Sequence, residues 1–346
     1  MNLKKIKPRT ALHKVSHLAN FGALLLICFS CSLNKLGYSP DTYKHKGWGK
    51  WYRPVDNPVF TTDYGNNHDP ILFVDTSLEY PYHLIISGWG CIPENNHTPE
   101  TYLWRSKSFS WSSNDWELVS DNYKIGCFYE YDDGIKIGDK YFIYEEGVVF
   151  TYEGPLEEAS GKWKKEGTFP KKLGDDVGVF YEDGVFHLFG EYGDFPHGPD
   201  GTSLSHLTSK TGLGDWVMED TLAVNPNPDG GNTFGVGDAT IIKIGAEYYL
   251  YCDIESEGIP YRIMAWKSSS LYERFEKLGV TMSPRENAVD DWDNYRVQDG
   301  DIAYIPEIDK YVTVCNMKDD DGNPGGNFPR MKNSTRVVGF FYDDKK

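Results

Sequence analysis

Cysteine is scarce: six residues in 346, two of them within the first 31. The remaining four, Cys91, Cys127, Cys252 and Cys315, form no Cys-x-x-Cys pair. Zinc ligation is therefore not expected, and buried free thiols are the default, with room for one disulfide in an oxidising compartment. Basic side chains are also few, 35 Lys and Arg against 52 Asp and Glu, for a formal net charge of −17. A surface that acidic argues against nucleic acid and against anionic lipid as partners. Long Leu/Ala/Glu helical runs are scarce, which leaves no separate α domain to build. A nucleophilic serine elbow, a phosphate-binding glycine loop and an HExxH helix are all missing, so the chemistries they support are not indicated.

What the chain does contain is glycine (35 residues) and aromatics (15%). That mixture favours many short strands joined by tight turns. The N-terminus stands apart. Residues 1–30 carry five basic side chains and no acid, with the apolar run "FGALLLICFSC" at their end. This pattern reads as a secretory signal, too short for a comfortable membrane span. Ser30-Cys31 resembles a bacterial lipobox, so Cys31 is expected to be acylated and residues 31–47 to act as a tether. The mature protein would then be exported and held at a membrane only through that lipid. Loss of the five basic residues would take the net charge from −17 to −22.

One frame recurs along the rest of the chain. An acid is followed by an apolar stretch, a turn, and an aromatic-rich strand whose paired residues lie ten and eleven positions on. It runs from Asp238 to Tyr248-Tyr249, from Asp176 to Phe186-His187, and from Asp301 to Tyr311-Val312. Tyr131 starts a fourth copy, with Asp132 beside it, and Asp69 starts a fifth with a longer hairpin. Each copy reads as two antiparallel strands, and a third strand and turn follow most of them, with Trp116, Trp216 and Phe275 as anchors. Five four-stranded units predict an all-β fold over residues 48–346, a five-bladed β-propeller with a central funnel-shaped active site. The innermost strands line the channel, so Asp69, Asp176, Asp238 and Asp301 should converge there with Tyr131 and Asp132. Aspartate caps many tight turns, which could explain one or two of these residues. A convergent ring of like charges is costly and is better explained as a site.

With His68-Asp69-Pro70 opening the first unit after "NPVF", and "GDDVGVFYEDG" in the third, the sequence resembles the five-bladed propeller glycosidases of families 43, 117 and 32. The resemblance implies a general base at Asp69, a pKa-tuning residue at Asp176 and a general acid at Asp238. The acid position departs from the family, which has glutamate there. Glu191, Glu145, Glu255 and His197 are reserve candidates. Glycoside cleavage needs one carboxyl to protonate the leaving oxygen and one carboxylate to activate water, and clustered acids raise the donor's pKa by mutual repulsion. The resemblance also implies inversion of configuration.

Further candidates for contacting substrate are His68, Trp89, Arg262 and Arg296, the arginines as clamps for a sulfate or carboxylate. Each also has a plainer role: a core tryptophan, a turn histidine, surface ion pairs. No metal ligands are assigned and no cofactor is required, with room for a structural calcium ion in the channel. Lys318–Asn327 lacks the ligand spacing of a calcium loop and reads as a long hairpin. The expected function is exo-acting hydrolysis of a terminal sugar from a plant or algal oligo- or polysaccharide. A glycan-binding surface lipoprotein without catalysis is the alternative, and a phosphorylase a more distant one for want of basic residues at the funnel.

Overall fold

In the computed structural model the described residues are 43–45, 48–54, 60, 68–87, 101–126, 131–170, 172, 175–193, 202–226, 233–256, 259–284, 296–318 and 336–343. They form five antiparallel sheets set around one channel, the predicted five-bladed propeller. Blade 1 contains β3 (His68–Val74), β4 (Tyr82–Ser87), β5 (Thr101–Ser106) and β6 (Glu117–Ser120). Blade 2 contains β7 (Asp133–Ile137), β8 (Lys140–Glu145), β9 (Val148–Glu153) and β10 (Lys164–Thr168). Blade 3 follows with β11 (Asp175–Glu182), β12 (Val185–Tyr192), β13 (Ser203–Ser209) and β14 (Val217–Val224). Blade 4 has β15 (Thr233–Ile244), β16 (Glu247–Ser256), β17 (Ile259–Ser268) and β18 (Glu276–Met282).

Blade 5 is built from both ends of the described chain. Its strands β19 (Arg296–Ile305), β20 (Lys310–Lys318) and β21 (Arg336–Asp343) are extended by β2 (Trp48–Tyr52) and then β1 (Tyr43–His45). β2 meets β21 through Trp51 opposite Asp343 and Tyr52 opposite Tyr342, and this pairing closes the ring. β1 lies inside the stretch read as tether, because the outer edge of blade 5 offers it a ladder to join. The expected signal segment and Cys31 lie outside the described residues.

The core divides into five clusters, one for each seam between adjacent blades. Between blades 5 and 1, Phe340 and Tyr342 pack with Tyr82, Phe109 and Trp116. Trp116 and Phe275 are buried anchors, as their position after the turn predicted. Cys252 and Cys315 are free and buried, as expected. The bulky alternating side chains of the strands fill the wedge between twisted sheets, which is where most of the hydrophobic stabilisation resides.

Near the axis there is no room for bulk, and polar side chains join blade to blade. Asp301 Oδ2 accepts from Leu72 N at 2.7 Å, Asp133 Oδ2 from Val179 N at 2.7 Å, and Thr240 Oγ1 from Ile302 N at 3.2 Å. Asp133, Thr240 and Asp301 thus hold the same station on their innermost strands. In blade 3 that station is Gly178, and a β-carbon there would lie 1.7 Å from the carbonyl oxygen of Ala239 in blade 4. Two backbones touch at this seam, so no side chain fits. Gly178→Ala should therefore destabilise the protein by about 2 kcal/mol or more, since a backbone contact cannot relax as a flexible side chain can. Gly245→Asn, at a hairpin position with φ +65° and open space around it, should be nearly neutral. Urea midpoints of the two variants against the parent protein check this.

Candidate active site

The innermost strands of four blades share one irregularity. Their ladder registers shift between His68 and Ile71, Asp175 and Gly178, Gly237 and Thr240, and Gln298 and Asp301. Each of these bulges contains an aspartate at positive φ: Asp69 (36°), Asp176 (45°), Asp238 (48°) and Asp299 (50°). Aspartate is one of the few residues that tolerates this conformation, because its short side chain can bond locally. The bulge turns the side chain out of the regular alternation and towards the axis. Asp69, Asp238 and Asp299 line the channel with Asp132, Asp133 and Asp301. Asp176 reaches the same place: its Oδ2, with Glu191 Oε2, lies within 3.4 Å of where a β-carbon on Gly237 would stand.

One predicted member of the ring needs correction. The fifth station belongs to Asp299, two residues before Asp301. The hairpin of blade 5 has four residues between Ile305 and Lys310, whereas those of blades 3 and 4 have two. A frame measured back from the aromatic strand therefore lands two residues late. Asp301 sits one layer deeper, where it joins the seam to blade 1. Tyr131 does occupy the equivalent station in blade 2, but its side chain is 1% exposed and packs in the core between blades 1 and 2. Its hydroxyl donates to Gly126 O at 3.2 Å, so it cannot reach a ligand in the channel. Asp132 faces the channel in its place and accepts from Val177 N at 3.4 Å.

The remaining candidates divide clearly. His68 is buried beside the ring, its Nδ1 4.0 Å from Asp299 Oδ2. Arg296 begins β19 on the funnel side, its guanidinium 4.8 Å from the centre of the Tyr261 ring. Arg262 is part-buried on β17, opposite Ile254. Glu145 is fully buried. Trp89, His197 and the side chain of Glu255 lie outside the described residues.

The neighbouring strands place further polar side chains beside the bulges. Ser87, Glu191, Asp253 and Asn316 stand opposite His68, Asp175, Gly237 and Gln298. Asp253, 2% exposed, accepts the backbone N–H of Asp299 with both oxygens, at 3.2 and 3.1 Å. Asn316 Nδ2 donates to Asp299 Oδ2 at 2.8 Å, and Gln298 Nε2 to Oδ1 at 2.7 Å. Glu191 was among the sequence candidates, whereas Asp253, Asn316 and Gln298 were missed. For the second strands the available signal was the polar residue after the apolar run, in "LIIS", "LFGE", "LYCD" and "TVCN".

Crowding sets the protonation. Asp238 is raised well above the ordinary carboxylate range, first by burial and then by the charges of Asp176, Asp299, Asp253 and Asp69. Asp253 and Asp133 are raised in the same direction, burial again leading, with Asp299 and Asp301 the next causes respectively. Burial and the surrounding acids thus favour the protonated form of Asp238. Two sets of three, His68 with Asp69 and Asp299, and Asp238 with Asp253 and Asp299, bring potential ligand atoms within 4.8 Å of one another. Either set supplies three of the ligands a calcium ion takes, the others being open to water or to second carboxylate oxygens. The amide and backbone donors around Asp253 and Asp299 already account for their placement.

No family model matches the chain, and no curated protein matches it in sequence. Solved structures do. An α-L-arabinofuranosidase from Podospora anserina, in complex with cellotriose, aligns with a TM-score of 0.56 at 12% identity, over 85% of this chain and 94% of that one. A thermostable family-43 glycoside hydrolase aligns at 0.55 and 16%, over 82% and 91%. An N-acetylgalactosamine deacetylase from F. plautii, in complex with blood group B trisaccharide, aligns at 0.55 and 12%, over 83% and 93%. The fold is the five-bladed propeller of these carbohydrate-active enzymes. Because that fold serves a deacetylase as well as glycosidases, the reaction must be argued from the site.

The deeper acid offers a check on this electrostatic picture. Burial lifts Asp301 to about 6, against hydrogen bonds from Leu72, Ile302 and Thr240 that pull it down. A folded-state value above the unfolded one gives stability that is complete below about pH 4 and is lost as pH rises through about 6. Asp301→Asn keeps an acceptor for Leu72 N and removes the titration. The difference in melting temperature, variant minus parent, should be more positive at pH 7.5 than at pH 4.5. An equal difference at both values would contradict the shift.

Proposed function

We propose that this chain is an exo-acting glycoside hydrolase that removes a terminal sugar from a plant or algal oligo- or polysaccharide. The observation that carries the reading is the set of four bulge carboxylates converging on one channel, with the proton favoured on Asp238. Asp69 would activate water as the general base. Asp238 would protonate the leaving oxygen, and Asp176 would hold the Asp238 proton by its charge. Single-displacement inversion follows from the likeness to families 43 and 117. The shared propeller of an arabinofuranosidase and a family-43 hydrolase supports the substrate class, and a pentose at the chain end is the natural first choice.

The test is a screen of arabino-, xylo- and agaro-oligosaccharides with product analysis. Asp69→Asn and Asp238→Asn should each fold normally and lower turnover by about 10²- to 10⁴-fold, the range that a positioned acid or base supplies. Undiminished turnover in either variant would remove that residue from the mechanism. The aspartate in place of a glutamate acid favours one rival, a glycan-binding protein without catalysis. That rival predicts saturable sugar binding with no product from any member of the panel.

Export and acylation at Cys31 belong to the same proposal, since a polysaccharide is met outside the cell. In a bacterial host, Cys31→Ala should shift the protein from the membrane fraction to the soluble fraction. An unchanged distribution would exclude the lipid anchor.

A further inference from the structure

The four bulge aspartates share a backbone conformation, and Asp299 is held by two side-chain amides. Its Oδ1 takes the Gln298 side-chain amide and its Oδ2 that of Asn316, at 2.7 and 2.8 Å. Neutral amides donate hydrogen bonds without supplying a counter-charge or a proton. They fix the plane of the carboxylate and leave it an acceptor. A carboxylate has about four lone-pair sites, of which these amides use two. Asp299 is only 6% exposed, yet it lines the channel. Its backbone is secured as firmly as its side chain. The N–H of the bulge is shared by both oxygens of Asp253, which itself is 2% exposed, and this contact stabilises a positive φ that a β-carbon disfavours.

Resting on the glycosidase reading, we propose that Asp299 orients the substrate, its carboxylate accepting two adjacent hydroxyls of the sugar in the channel. Asp253 is the positioning residue that acts through it. The pairing suits the chemistry. A sugar presents vicinal O–H donors at the spacing of the two carboxylate oxygens, and hydrogen bonds to an anion are short and strong. A rigid acceptor also discriminates, because a site built to bond a hydroxyl rejects an analogue that lacks it. Among the bulge acids this role suits Asp299 best. Asp238 is the favoured proton holder, and the resemblance to family 43 implies water activation at Asp69.

The experiment measures binding by titration calorimetry of L-arabinose, D-xylose and D-galactose, and of their 2-deoxy and 3-deoxy analogues. The parent protein should bind one of the three sugars and lose about ten- to a hundred-fold in affinity when one hydroxyl of the pair is removed, as expected for bonds to a charged group. Asp299→Asn should bind the intact sugar that much more weakly and no longer distinguish the deoxy analogue. Asp253→Asn, which keeps one acceptor oxygen, should fall between the two. On a glycan that is cleaved it should raise KM about tenfold. A merely structural role would lower the melting temperature without altering the preference between sugar and analogue. Parental affinity and discrimination in Asp299→Asn would overturn the assignment and leave the hydrolase reading standing. If Asp299→Asn fails to fold, unchanged discrimination in Asp253→Asn overturns it instead. A parent protein that neither binds a sugar of the panel nor cleaves any glycan overturns both readings together.

Discussion

Each of four innermost strands enters the channel through a bulge that places one aspartate at positive φ. That conformation is disfavoured for a residue with a β-carbon by roughly 1–2 kcal/mol, and the crowding of like charges adds to the cost. The arrangement persists because the rest of the molecule over-determines it. Outside the axis, five aromatic-rich seams bury the bulk of the apolar surface. Nearer the axis, Asp133, Thr240 and Asp301 bond from one blade to the next. Strain and charge are concentrated where the packing cannot yield, which is the usual location of a functional site.

The layer below the ring has its own logic. Its polar residues complete backbone donors that would otherwise be stranded between blades, and so they serve assembly. They also lie close enough to share the electrostatics of the site, as the mutual influence of Asp133 and Asp301 shows. An acid in this layer holds blades together and, by its proximity, makes another acid harder to ionise. Stability and chemistry are therefore coupled through the same few side chains, and Gly178 marks the seam where backbone contact leaves no space for such a residue.

Much of this was legible from sequence because a propeller repeats. Asp176 and Asp238 were found from spacing, Asp69 from the His-Asp-Pro that opens a longer copy of the same frame, and the fold followed from the number of copies. Legibility failed where the repeat is imperfect. The four-residue hairpin after Ile305 displaced the frame and drew attention to Asp301 in place of Asp299. At Tyr131 the frame was correct, but position does not reveal direction: the station lacks a carboxylate, and the ring turns into the core. Asp253, Asn316 and Gln298 were overlooked for a different reason. A polar residue within a strand is ordinary in a sequence, and only the ladder register shows that Asp253 and Asn316 stand beside the bulges of their own blades.

The ring also shows why roles cannot be assigned from the repeat alone. Four chemically identical residues in one backbone conformation face the same channel, so any difference in behaviour must come from their neighbours. Asp299 has two amide donors, which fix it as an acceptor. Asp238 is surrounded by Asp176, Asp253, Asp299 and Asp69, which favour its protonated form. The second strand of each blade supplies much of that difference, with serine, glutamate, aspartate or asparagine at the matching register. At Asp238, burial comes first and the neighbouring charges second in favouring the neutral carboxyl. The division of labour among the acids is encoded one strand away from them.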